Sequence, residues 1–196
     1  SRVDASVARV LPSKTAPAVV LSDGRRIEGR LVVLACGNDR RLQHDLGIPT
    51  TNERQGYSTA IGFNIVFDSP GERPFQNLTY WGEKPGDGIA FAAFFPIGEA
   101  TRVNFFCYRS AADPALKGFG RDPLGRLSTM LPGLAPLLAG ARTVGKPDIR
   151  QITLHEAARC DRDGVVLIGD AYRVCCPVTG MGVTRLLTDV RQLMRL

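Results

Sequence analysis

The chain has 196 residues, 44% hydrophobic and 22% charged, with a mean hydropathy of −0.03, a composition that supports one sizeable globular domain or two small ones. Its formal net charge is +6, but the cations are scattered in pairs such as Arg25-Arg26 and Arg40-Arg41, which argues against a nucleic-acid-binding face. No run approaches the roughly 18 consecutive apolar residues of a membrane span, and no signal peptide is visible, so a cytoplasmic setting is expected.

From the N-terminus, residues 18–21 and 30–35 are strand-like runs joined through Asp23-Gly24, a strong turn dipeptide, and predict a hairpin feeding a buried strand. Residues 31–34 are apolar at every position, as for a strand covered on both faces of a layered sheet. The strand ends at Cys36-Gly37-Asn38, and a short helix is expected to run through Leu46 and stop at Gly47.

Between 58 and 108 the apolar period becomes two. Ile61, Phe63, Ile65 and Phe67 form one row; Ile89, Phe91, Ala93, Phe95 and Ile97 a second; Val103, Phe105 and Cys107 a third. With a turn at Gly98-Glu99 and the segment "QNLTYWG", this predicts an antiparallel sheet of about four strands with one apolar face. The aromatic rows could line an apolar pocket, although core packing is the weightier reading. "DPLGRLSTMLPGLAPLLAG" predicts two short helical pieces broken at Pro132-Gly133, and a strand is expected over 149–157. "DGVVLIGDA" then repeats the order of turn and buried strand. The last segment, 183–196, predicts a helix with Val183, Leu186, Leu187, Val190 and Leu193 on one side.

"GDAYRVCCPVTGMG" at 169–182 carries the densest chemistry. Asp170 falls at the carboxyl end of its strand, where open α/β sheets place ligand-binding groups, and a carboxylate there can accept hydrogen bonds from ribose or ribityl hydroxyls. Pro177 fixes the loop, while Gly180 and Gly182 let backbone approach a flat ligand closely. The helix that follows offers unpaired amides and a partial positive charge to an anionic group. Strand, glycine turn and helix also occur for packing alone. Five cysteines and two histidines show no metal-ligand spacing, so no metal site is expected and the cysteines read as reduced and partly buried. His155 reads as structural rather than as a general base, and Cys175-Cys176 as packing. Tyr80 and Trp81 are ambiguous, and Tyr172 or Arg173 is a candidate for reaching substrate or phosphate.

This stretch resembles the second flavin-contacting motif of the FAD-dependent aromatic hydroxylases, the p-hydroxybenzoate hydroxylase-like flavoprotein monooxygenases. Gly169, Asp170, Ala171, Pro177, Gly180, Gly182 and Asp189 fall in register, whereas Tyr172-Arg173 replaces Ala-His and Thr184 stands in place of Asn. Residues 21–48 resemble the family's segment ending Ala-Asp-Gly. Ala35, Gly37, Leu46 and Gly47 match, with Cys36 in place of Asp, Arg40 of Ser and Gln43 of Arg. The family's N-terminal GxGxxG does not occur, and the chain reads as an internal fragment.

The resemblance implies an α/β (α+β) fold: a partial FAD-binding Rossmann-like domain over 1–48 and 155–196, with an inserted antiparallel-sheet substrate domain over 49–154. It implies FAD as cofactor, NAD(P)H as reductant, and transfer of one oxygen atom from O2 to an aromatic or apolar small molecule. Cofactor contacts fall on Gly37, Gly169, Asp170, Pro177, Gly180, Met181, Gly182, Val183 and Thr184. Among them Asp170 serves the ribityl or phosphate region, Pro177 the isoalloxazine, and the 180–184 backbone the pyrimidine end. No catalytic residue is assigned. A halogenase or prenyl-chain reductase of the same fold, or a non-catalytic binding domain, remains as the alternative.

Overall fold

The computed structural model describes residues 2–68 and 73–195. They divide into two compact units, one of residues up to 54 together with those from 154 onward, the other of residues 55–153. The first unit opens with β1 (Val7–Leu11), β2 (Ala18–Leu21) and β3 (Arg26–Glu28), an antiparallel sheet in the order β1-β2-β3. The Asp23-Gly24 turn forms: Gly24 has φ +86°, Leu21 N donates to Arg25 O at 2.8 Å, and Asp23 Oδ1 accepts from Arg25 N at 3.0 Å. A closure this tight pairs the very next residues, so the second hairpin arm is β3 and not 30–35. The later run shortens to β4 (Val32–Leu34), which leaves this sheet. Gly47, at φ +63°, then ends α1 (Arg41–Asp45) by donating to His44 O at 2.9 Å.

The second unit is built on a five-stranded sheet ordered β6-β7-β8-β5-β9. Its strands are β5 (Thr50–Phe67), β6 (Leu78–Trp81), β7 (Ile89–Ile97), β8 (Ala100–Cys107) and β9 (Ala141–Ala157). Before β9 comes α2 (Pro123–Met130), whose start is set by Pro123 and by Asp122 Oδ1 accepting from Gly125 N at 2.9 Å. A 3₁₀ segment, Pro132–Leu138, follows. Ile61, Phe63, Ile65, Val103, Phe105 and Cys107 are buried against Phe119, Leu127, Leu131 and Leu134, as the first and third rows require. The second row is corrected. The buried residues of β7 are Ala92 and Phe94, set opposite Phe105 and Val103, while Phe91 and Phe95 lie on the other face. Directly paired antiparallel residues share a face, and a register shift between Ile89 and Phe91 moves the row. Strand β9 also begins earlier than the expected 149.

The chain returns to the first unit through β10 (Val165–Leu167), which pairs parallel with β4, and ends in α3 (Gly182–Leu193). Leu34, Val165 and Leu167 join Val10, Leu42, Ile48 and Ala157 in a small core. The expected coverage of 31–34 on both faces is not found among the described residues: Leu31 is 44% and Val33 40% exposed. The apolar side of α3 is likewise open, with Leu187 59% exposed. Among the described residues no helix is long and apolar enough to cross a membrane.

Candidate functional site

Parallel pairing of β4 with β10 determines the site. Val165, Val166 and Leu167 lie opposite Val32, Val33 and Leu34, and Ile168 N donates to Leu34 O at 3.1 Å, so both strands end side by side. The segments leaving them therefore start from one edge, the carboxyl edge at which α/β sheets place ligands. A cleft of about 320 Å³ opens there, lined by Ala35, Gly37, Ile168, Gly169, Asp170, Gly182, Val183 and Leu186. Five of the sequence-predicted contacts, Gly37, Gly169, Asp170, Gly182 and Val183, thus converge from three separate segments.

Residues 169–171 form a single 3₁₀ turn in which Gly169 and Ala171 are buried and Asp170 is exposed. Gly169 sits at φ +59°, and a Cβ on it would meet Leu186 Cδ1 at 3.1 Å. Two residues not selected for the cofactor hold this turn. Asp189 Oδ2 accepts from Gly169 N at 2.8 Å, and Gln43 Nε2 donates to Ala171 O at 2.7 Å. Asp189 was legible as part of the family pattern, but its bond to Gly169 was not. Gln43 appeared only as a departure from that pattern.

Pro177, Gly180, Met181 and Thr184 are not among the residues that line this cleft. Pro177 opens a 3₁₀ turn, Pro177–Thr179, and Gly180 ends it at φ +65° with open space where a side chain would stand. Arg185 ties this loop to α3, donating to Arg173 O at 2.9 Å and to Cys175 Sγ at 2.6 Å. The first turn of α3 contains no acidic residue, and Met181 supplies no side-chain cap. Its amides and the positive end of its dipole are available to an anionic group, an interaction typically worth about 0.3–1 kcal/mol when exposed. Beside Gly37, burial pushes the Cys36 thiol above its usual range, and its Sγ donates to Asp39 O at 3.3 Å.

The other candidate side chains face elsewhere. Tyr172 donates to Glu156 Oε1 at 3.4 Å, and Arg173 Nε lies 3.7 Å from Glu156 Oε2. Burial, followed by the Glu156 charge, raises the Tyr172 hydroxyl above its ordinary range. Arg173, Glu156 and the buried His155 line a separate polar cleft of about 420 Å³ with Asn52, Glu53 and Arg54. A third opening of about 460 Å³, with Val166, Ile168, Gln192 and Leu193 in its wall, separates β10 from α3. Phe63 and Phe105 belong to the core of the second unit, whereas Phe91 stands on the opposite sheet face between Trp81 and Phe106, with ring centroids at 5.3 and 5.1 Å.

No family model matches the chain, and no curated protein matches it. Solved structures do. A flavin-dependent halogenase from Xanthomonas campestris superposes with a TM-score of 0.66 at 18% identity, over 100% of this chain and 36% of that one. The halogenase PltM, solved as a mutant in complex with FAD, gives 0.72 at 12% identity over 98% and 41%. A Diels-Alderase of the pyrroindomycin biosynthetic pathway gives 0.63 at 20% identity over 91% and 37%. The chain therefore spans well under half the length of these structures. Such identities establish fold alone, and this fold carries more than one chemistry. The chain has the mixed α/β architecture of part of the flavin-dependent halogenase fold.

Proposed function

We propose that this chain is part of an FAD-dependent monooxygenase that uses NAD(P)H and O2 to oxygenate an aromatic or apolar small molecule. The observation that carries the reading is the convergence of Gly37, Gly169, Asp170, Gly182 and Val183 on one cleft at the carboxyl edge of β4 and β10. The residues present suit a flavin nucleotide: an exposed carboxylate for hydroxyl groups, glycines for close approach, and an uncapped helix start for negative charge. Bound there, FAD would supply the redox and oxygen chemistry. Asp170 would orient the ribityl or phosphate region, Pro177 would border the ring, and the 180–184 backbone would face its pyrimidine end. The first unit would thus serve as part of an FAD-binding domain. The open parallel pair and bare α3 face suit a site completed by further α/β structure.

The second unit would serve as the substrate domain. Its uncovered aromatic row of Trp81, Phe91 and Phe106, with Trp81 65% exposed, fits an aromatic or apolar substrate. Halogenation is the second reading, favoured by the halogenases among the structural neighbours. Product analysis with chloride or bromide present and absent separates the two.

The test of the site is flavin-fluorescence titration of the full-length protein and its Asp170→Ala variant. Losing hydrogen bonds to a charged group, about 1.5–3 kcal/mol, corresponds to FAD affinity about 10- to 150-fold weaker. Unchanged FAD affinity would remove Asp170 from the site, and no FAD binding by the unsubstituted protein would remove the flavin assignment.

A further inference from the structure

The turn carrying Asp170 is gripped at both ends by side chains from different elements. Asp189, in α3, accepts from Gly169 N at 2.8 Å, and Gln43, in α1 and 128 positions upstream, donates to Ala171 O at 2.7 Å. These bonds bracket one residue. Gly169 and Ala171 are buried, so Asp170 alone of the turn is left exposed in the cleft. Leu186 lies on a third side, 3.1 Å from where a Gly169 Cβ would be.

Gln43 is 1% exposed, and its Oε1 has no hydrogen-bond donor among the described residues. Its amide is thus buried for the bond to Ala171 O, with the acceptor end left unsatisfied. A buried acceptor without a donor is unfavourable for stability, and an apolar side chain of similar length would avoid it. What an apolar replacement cannot do is fix the direction of the Ala171 carbonyl, and through it the aim of Asp170.

We propose that Gln43 and Asp189 are positioning residues that hold the 169–171 turn so that Asp170 meets the flavin, linking α1 and α3 to the ligand. The proposal rests on the flavin reading of the cleft. Its test is a double-mutant cycle on FAD affinity in the full-length protein, with folding followed by circular dichroism. Gln43→Met, which keeps length and removes the donor, and Asp189→Ala should each weaken FAD binding about fivefold or more when Asp170 is present. Each should change it less than about twofold in an Asp170→Ala background. Asp189→Asn, which retains an acceptor for Gly169 N, should restore most of the affinity.

Effects of equal size in both backgrounds would overturn the proposal while leaving the flavin site standing. So would wild-type affinity in Gln43→Met and Asp189→Ala. If both variants fail to fold, the two side chains are structural and the proposal is likewise overturned. Unchanged affinity in Asp170→Ala alone would remove Asp170 from the site and overturn the positioning role, whereas no FAD binding by the unsubstituted protein would overturn the flavin reading itself.

Discussion

Replacing Gly169 by alanine tests the geometry of the turn directly. Gly169 adopts φ +59°, where a Cβ costs about 1–2 kcal/mol, and that Cβ would meet Leu186 Cδ1 at 3.1 Å. Leu186 is 37% exposed and its Cδ1 ends a flexible side chain, so it can yield by a few tenths of an ångström. Against this, alanine reduces the entropy of the unfolded chain and returns about 0.4–1 kcal/mol. The backbone terms leave a loss of up to about 1.6 kcal/mol, or up to roughly 6 °C in Tm for a chain of this length, and displacing Leu186 adds to it. Gly180→Ala is the internal comparison: φ is +65°, but nothing lies within 4 Å of the added carbon, so only the backbone term applies. Thermal denaturation followed by circular dichroism should rank Gly169→Ala below Gly180→Ala, and both below wild type. A Gly169→Ala protein as stable as wild type would refute the left-handed turn and its packing under Leu186.

Phe119 is fully buried and stacks on Phe105 with centroids 5.5 Å apart and planes 11° from parallel, so Phe119→Ala should cost about 3–5 kcal/mol in denaturant unfolding. A loss below about 1 kcal/mol would contradict that core. Burial pushes the Cys107 thiol from 9.0 up to about 11. Because the folded state keeps the proton that the unfolded state loses, this stabilisation is complete below pH 9 and disappears as the pH rises toward about 11. The stability difference between wild type and Cys107→Ala should therefore shrink across that window, and a difference independent of pH would contradict the burial.

Much of the local structure was legible because short-range chemistry sets it. Asp23-Gly24 closes a turn through bonds within four residues, Gly47 ends α1 in the left-handed region, and Pro132 opens the 3₁₀ segment two residues after α2 ends. The rows of β5 and β8 were legible because their alternation leaves one apolar set to bury. In β7, "IAFAAFFPI", both alternate sets are apolar, so period alone left the buried face undetermined. The candidate site divides in the same way. Asp170, Gly180 and Gly182 stand out in the sequence as ligand-binding types, whereas Gln43 showed only as a departure from the family pattern and its bond was not legible, because its partner is a backbone carbonyl 128 residues away.

The sequence by itself determined the Asp23-Gly24 turn, the end of α1 and the buried rows of β5 and β8, since φ preferences and alternation act within a few residues. Only the tertiary structure decided that β7 buries Ala92 and Phe94, through its register with β8. It alone brought Gly37 to Asp170, because the parallel pairing of β4 with β10 joins chain segments 133 residues apart, at Val32 and Val165. Those contacts depend on which surfaces remain to be buried once the local elements exist, and no short stretch of sequence contains that information.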